Sequence, residues 1–375
     1  MPPFLERARL KQKDIIALIR EMVECESPSD SPAALARCGD LIAEKLSPLG
    51  KVKRFKGGHL RCEFQLPGPR RKEPGQILAL GHLDTVWPLG TLSQMSFRQE
   101  KGRLWGPGVL DMKAGIALAL HVIGALSAWG LSRPVTLLLV SDEEVGSKSS
   151  RAITEKSAQS AAAVLVLEPA YGLHGAVKTA RKGIGDYTIK VTGKAAHSGL
   201  DFEQGQSAVL ELAKQICEIS KLVDLKRGIT LNVGKVSGGT RVNVVPAEAI
   251  ALVDLRVATA RDGVRLDRKL RGLKPFNRKC KITVSGELNR PPMERTAGVA
   301  SLYARAREIA KGLGWSLQEA SVGGGSDGNF TAALGIPTLD GLGGVGEGAH
   351  AEHESIVISE LPRRAALLAG LIQNV

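Results

Sequence analysis

Residues 77–86 read ILALGHLDTV, residues 135–144 read VTLLLVSDEE and residues 163–170 read AVLVLEPA. Each is a near-continuous apolar run that ends at acids or a histidine. A strand covered on one face alternates apolar with polar side chains, whereas one covered on both faces stays apolar throughout. The three runs therefore predict interior strands of an α/β sheet. A helix is predicted between the first two, in the longest apolar stretch, Ala114 to Leu131, which contains His121 and three glycines and follows Asp111 and Lys113. At 18 residues it is at the lower limit for crossing a bilayer, so it reads as a buried core helix rather than a membrane span.

Working outward, the apolar spacing from Asp14 to Leu46 is helical and is broken by Ser27, Ser29, Asp30 and two prolines, which predicts two helices. Leu60 to Leu66 is a short strand. After about Lys178 the pattern changes. DYTIKVTG (186–193) alternates like a half-exposed strand, and QSAVLELAKQICEISKLV (206–223) is an amphipathic helix. GITLNVGKV (228–236) and EAIALVDLRV (248–257) are two further strands, with Arg256 pointing outward. A weaker helix from Asp262 to Leu273 and the strand KITVSG (281–286) complete a β-α-β-β-α-β order. The buried pattern resumes near Met293 with a helix (Ala297 to Leu313), the turn VGGGSDG (322–328), the segment ALGIPTLDGLG (333–343) and a terminal helix starting near Pro362. The predicted architecture is a discontinuous α/β domain, residues 1–178 and 294–375, with helices on both faces of its sheet, interrupted by a smaller α+β domain, residues 179–293.

Composition agrees with this and removes other classes. A chain of 375 residues suits two domains, and 43% apolar with 24% charged residues excludes fibrous and disordered states. The five cysteines (Cys25, Cys38, Cys62, Cys217, Cys280) are scattered and never form C-x-x-C, which points to reduced thiols in a cytoplasm rather than cysteine-ligated zinc. The first residues, MPPFLERARLKQKDIIALIREM, intersperse charges through a helical pattern and do not read as a signal peptide. The 51 Lys and Arg against 38 Asp and Glu give +13. Only 3 Tyr, 7 Phe and 4 Trp are available for stacking, and the basic residues are dispersed in short clusters such as Lys51, Lys53, Arg54, Lys56 and Arg70, Arg71, Lys72, so no nucleic-acid partner is expected. The excess reads as a solvated basic surface or as one that attracts a small anionic substrate, and a rate insensitive to ionic strength counts against the second.

Candidate chemistry collects where the apolar runs stop, as in open α/β sheets generally. His82 and Asp84, two apart in extended chain, share a face, so the carboxylate can hold one ring nitrogen while the other binds a metal. Asp111 lies in the turn GPGVLDMKAG (106–115) before the core helix, where a helix cap is the alternative reading. Glu143 and Glu144 are adjacent, so one can ligate while the other stays free as a base. A solvated turn is the alternative. Glu168 closes an apolar strand, where an acid needs a partner or a metal. His350 lies in GAHAEHES (348–355). This set of nitrogen and oxygen donors suits two zinc-like ions sharing one carboxylate, and three carboxylates with a bridging hydroxide neutralise two divalent ions.

With these residues in view, the sequence resembles the co-catalytic dizinc aminoacylase and carboxypeptidase family, which includes glutamate carboxypeptidase, acetylornithine deacetylase and succinyl-diaminopimelate desuccinylase. The matching motifs, in family order, are GHLDTV, GPGVLDMKAG, SDEEVGS, LEPA, VTGKAAHSG (191–199) and GAHAEHES with its H-x-x-x-E spacing. HLDTVWPLGTL (82–92) followed by FRQEKGRLWGPG (97–108) is most similar to the glutamate carboxypeptidase branch. The resemblance implies that Asp111 bridges two zinc ions, with cobalt or manganese as alternatives, that His82 and Glu168 complete one site, and that Glu144 and His350 complete the other. His350, with Glu354, fits the motif register better than His353 does. Asp84 would orient His82, Glu143 would be the general base, and the Asp111 to Met112 peptide would be cis. His197 would donate to the amide oxyanion of a partner subunit, which implies a homodimer through the inserted, ferredoxin-like domain.

The substrate implied is an anionic acyl-amino acid or peptide. Arg290 in GELNRPP (286–292) resembles the residue that holds the substrate carboxylate. Asn243 is a polar substrate position or a turn former, and Gly324, Gly325 and Ser326 offer backbone N–H groups or simply form a turn. His59, His121 and His174 read as structural or surface residues. The reading is a cytoplasmic amidohydrolase releasing a C-terminal amino acid, with glutamate the one expected. The alternatives are an N-acyl amino-acid deacylase and a non-catalytic metal-binding homologue.

Overall fold

Ile77 and Ala79 lie on one side of their strand and Leu78 and Leu80 on the other, and each pair enters a different hydrophobic core. The apolar run is continuous because both faces are covered. The computed structural model describes residues 2–64, 75–129 and 133–375. Leu66, Leu131 and the Arg70, Arg71, Lys72 cluster lie outside the described residues.

Helices α1 (Pro2–Leu10), α2 (Gln12–Glu24) and α3 (Pro32–Leu46) precede strands β1 (Lys51–Arg54), β2 (Leu60–Phe64) and β3 (Gln76–His82). Short strands β4 (Arg98–Glu100) and β5 (Arg103–Trp105) are followed by helix α4 (Ala114–Trp129), strand β6 (Val135–Val140), helix α5 (Arg151–Ala158) and strand β7 (Ala161–Val166). After β8 (Val177–Arg181) come β9 (Gly183–Thr192), α6 (Ala208–Ser220), β10 (Thr230–Gly238), β11 (Glu248–Val257), α7 (Ala260–Arg271) and β12 (Lys281–Arg290). The remainder holds α8 (Ala297–Gly312), β13 (Glu319–Val322), α9 (Gly328–Ala333), β14 (Thr338–Leu339), β15 (Gly346–Glu347), β16 (Ser355–Val357) and α10 (Leu361–Asn374). The chain divides into one unit of Met1–Ala180, Arg295–Ser321 and Ser326–Val375, and a second of Arg181–Glu294 with Val322–Gly325.

In the first unit the six-stranded sheet runs β1-β2-β6-β3-β7-β14. Its members β3, β6, β7 and β14 are parallel, and β1 and β2 form an antiparallel edge. Register places the site. His82 pairs with Val140 and Leu80 with Val166, so the segments after β3, β6 and β7 leave the sheet at one level. Helix α4 is apolar nearly all round, as a helix enclosed by the core must be. The stretch Val109–Ser127 is long and apolar enough to cross a membrane, yet 83% of its apolar window is buried inside the protein. Gly115 lets α4 approach β7: a Cβ there would lie 2.0 Å from the Leu167 carbonyl oxygen.

In the second unit, strands ordered β10-β11-β9-β12 form an antiparallel sheet. Alternate residues Tyr187, Ile189 and Val191 face a core that includes Leu212 and Ile219 of α6 and Leu266 and Leu270 of α7. Arg256 is paired with Asp254 on the same strand at 2.9 Å. Between Arg181 and Glu294 there are 21 Lys and Arg against 12 Asp and Glu, so most of the +13 excess belongs to this unit and not to the one with the clustered acids.

Candidate metal centre

His82 ends β3 with its ring 2% exposed. Its Nδ1–H donates to the Asp84 main-chain carbonyl at 2.9 Å, which directs Nε2 into the site. There Nε2 lies 3.1 Å from Asp111 Oδ1 and 3.6 Å from Glu168 Oε1. The second Asp111 oxygen, Oδ2, is 3.5 Å from His350 Nε2, which is itself 3.2 Å from Glu144 Oε1. One carboxylate thus stands between two histidines, each with a further carboxylate beside it. Asp111 is delivered by a turn in which the Asp111–Met112 peptide is cis, as the resemblance implied. His350 has a positive φ of 64° in its turn, whereas the ring of His353 lies against Gly348.

Burial and mutual contact shift the titratable groups of this cluster in opposite directions. Burial alone would lower the His82 pKa, but hydrogen bonds with Asp111, Asp84 and Glu168 hold it well above the ordinary value. His350 is pushed up to about 10, chiefly by its hydrogen bonds to Asp111 and Glu144. For Asp111, burial raises the pKa but both histidines outweigh it and hold the carboxyl below its usual range. Burial raises Glu144, with the Asp111 charge adding to it, against the pull of His350. Two groups of donor atoms lie within 4.8 Å of one another, His82 with Asp111 and Glu144, and His82 with Glu143 and Glu168. Imidazole nitrogen and carboxylate oxygen donors fit a pair of divalent ions of the zinc type.

Asp84 lies beside His82 and also engages the next strand end. Its carboxylate is 3.5 Å from His82 Nδ1, and its shorter contacts are to the N–H groups of Glu143 (3.2 Å) and Glu144 (3.1 Å) and the Ser29 hydroxyl (2.8 Å). Asp84 therefore joins the end of β3 to the segment carrying both glutamates. Ser326 is held within its own turn. Its N–H donates to Asn329 Oδ1 at 2.9 Å and its hydroxyl to Asp340 at 2.6 Å, so this fully buried residue shapes the turn.

Within the second unit, Nδ1 of exposed His197 accepts N–H groups from Gly199 (3.1 Å) and Leu200 (3.2 Å). In the neutral ring this leaves the proton on Nε2 as a donor. Asn243 is beside it: its carbonyl accepts from Ser198 at 3.0 Å. Arg290 ends β12, 3% exposed, with its Cδ 3.0 Å from where a Gly325 Cβ would sit. The Gly324 and Gly325 carbonyls accept from Arg181 at 3.2 and 3.1 Å.

Two residues carry more than the sequence reading gave them. His59 is fully buried, bonded to the Ser141 N–H at 3.2 Å and to Ser149 Oγ at 3.1 Å, beneath the Glu143 segment. Glu354, noted only for its spacing from His350, is fully buried and accepts the Gly108, Leu110 and Asp111 N–H groups at 2.9, 2.8 and 3.0 Å and the Trp87 indole N–H at 2.8 Å. The acid in H-x-x-x-E was the one available signal.

Histidines and carboxylates gathered beyond the ends of parallel strands, together with the family match, make this a metal-dependent hydrolase. The chain belongs to Peptidase family M20/M25/M40, whose profile matches residues 78–374. It is similar to carboxypeptidase G2 of Pseudomonas sp., 29% identical over 375 residues, covering 97% of this chain and 90% of that protein. It is 26% identical to succinyl-diaminopimelate desuccinylase of Thioalkalivibrio sulfidiphilus, covering 96% and 98%. The crystal structure of aminopeptidase PepT from Bacillus cereus has the same fold, with a TM-score of 0.79 at 22% identity over 96% of this chain and 98% of that one.

Proposed function

We propose that the protein is a dizinc hydrolase that releases a C-terminal amino acid, glutamate foremost, from an N-acyl or peptidyl group. The observation that carries this is Asp111 set between His82 and His350. His82, Asp111 and Glu168 would hold one ion, and Asp111, Glu144 and His350 the other. Bound there, zinc supplies a Lewis acid for the amide carbonyl and a water acidic enough to react at neutral pH. The Glu143 carboxylate takes the proton of the attacking water and returns it to the leaving nitrogen. Asp84 holds Glu143 and Glu144 in place through their N–H groups.

His197 of the partner subunit would stabilise the oxyanion with its Nε2–H, in a homodimer joined through the second unit. Arg290 and Asn243, with the Gly325 backbone, would receive the substrate carboxylate. The five free cysteines fit a reducing cytoplasm. Full-length similarity to a desuccinylase favours N-acyl amino-acid deacylation as the second reading. Amine release measured on the zinc-loaded protein across acylglutamates, other C-terminal residues and acetyl amino acids decides. Preference for acylglutamates supports the first reading; turnover confined to acetylornithine or similar acetyl amino acids overturns it.

A further inference from the structure

We infer that Glu354 is a positioning residue that sets the His350 half of the metal centre, resting on the two-ion reading above. Four N–H donors converge on its two oxygens, a pattern only the carboxylate form accepts. Two of those donors are Leu110 and Asp111 itself, so the carboxylate fixes the turn that aims Asp111. The same residue is joined to His350 by two successive tight turns, Ala351 N–H to the Gly348 carbonyl and Glu354 N–H to the Ala351 carbonyl, each 2.8 Å. Glu354 thereby ties Asp111 and His350 to one point, although 243 positions separate it from Asp111.

The two halves of the site do not depend on this tie equally. His82 closes β3 and Glu168 lies two residues past β7, at the ends of parallel strands, and they are 2% and 7% exposed. His350 sits on a turn with positive φ, its side chain 49% exposed, with its position set by the chain on either side. Losing the Glu354 carboxylate therefore releases His350 and loosens the shared ligand Asp111, while the strand-borne His82 and Glu168 stay in place to hold their ion. The fold has an independent support at this point, because β16 pairs with β5 through Ser355 and Trp105.

The test is a zinc titration of the metal-free full chain by calorimetry, on wild type and E354Q. Gln keeps the size of the side chain but presents an amide NH2 to N–H donors. Expected is one ion bound within about threefold of wild-type affinity and a second weakened by about 10–100-fold, the range for outer partners of metal ligands. With one equivalent of cobalt(II), the visible spectrum of E354Q should superimpose on that of H350A and differ from that of H82A. Two ions at wild-type affinity, or equal weakening of both, overturns the inference. If E354Q gives no cooperative unfolding transition, E354D, which withdraws the carboxylate by one methylene, is titrated with the same outcomes. A wild-type chain that binds fewer than two ions overturns the two-ion reading itself, which is distinct from any result for the variants.

Discussion

The Asp84 carboxylate accepts the backbone N–H of Glu144 at 3.1 Å. A fully buried acid at the end of one strand thus fixes the segment after the next, and it does so with both Glu143 and Glu144. Replacing Asp84 with Ala leaves those N–H groups and the Ser29 hydroxyl without their acceptor. The expected cost is about 1–3 kcal/mol of stability and a drop of about 10–100-fold in zinc affinity. Urea unfolding and a metal-competition titration check both; wild-type affinity would show that the loop holds itself.

Glu143 is expected to move protons rather than hold metal. Its replacement by Ala should lower kcat by about 10²–10⁴-fold while the zinc content stays at wild type. Turnover and elemental analysis on one sample separate the roles, and a variant that loses an ion along with activity would make Glu143 a ligand.

Removing metal should destabilise as well as inactivate. The Asp111, Glu144 and Glu168 carboxylates face one another around His82 and His350, and bound cations relieve that crowding. With free zinc about a thousandfold above Kd the stabilisation is roughly 4 kcal/mol. Thermal unfolding with and without chelator should show a lower Tm in the stripped protein, restored by zinc.

His59 gives a pH dependence of defined sign. Burial holds its pKa below the ordinary 6.5, against the charges of Asp142, Asp327 and Asp84. The unfolded chain therefore binds the proton more readily than the folded one. The stabilisation is fully present above pH 6.5 and is lost as pH falls from 6.5 toward the folded value. In urea unfolding of chelator-treated protein between about pH 5 and 8, H59Q should lose less stability on acidification than wild type. Parallel profiles would remove His59 as the source.

Gly115→Ala tests the seam between helix and sheet. The added Cβ would press on the Leu167 carbonyl, so α4 must shift away from the residue preceding Glu168. A loss of about 1–3 kcal/mol is expected, from crowding of a filled core, with weaker zinc binding alongside. An unchanged Tm would show that the helix can slide.

The sheet was legible because apolar runs report burial directly. The interior strands at 77–80, 135–140 and 163–166, the core helix after Lys113, and the β-α-β-β-α-β order of the second unit all follow from side-chain pattern. The donor types were legible only as a set, since each residue alone had an ordinary reading, Asp111 as a helix cap and Glu143 with Glu144 as a solvated turn. Ser326 stayed open between two readings because a Gly-rich turn looks alike whether its N–H groups face a ligand or, as for Ser326, Asn329. For Asp84, spacing gave the side it faces, toward His82, and not the N–H donors of Glu143 and Glu144 that reach it as well.

The sequence by itself determined which strands are buried on both faces and which acids and histidines stand at their ends. Only the tertiary structure decided that Asp111 turns Oδ1 to His82 and Oδ2 to His350, that Asp84 holds the glutamate segment, and that Glu354 secures the turn bearing Asp111. The reason is physical. Burial is a property of the side chain and is written in residue type, whereas most of these ties use backbone N–H groups, which every residue but proline carries and which only packing brings within 3 Å or so of one particular carboxylate.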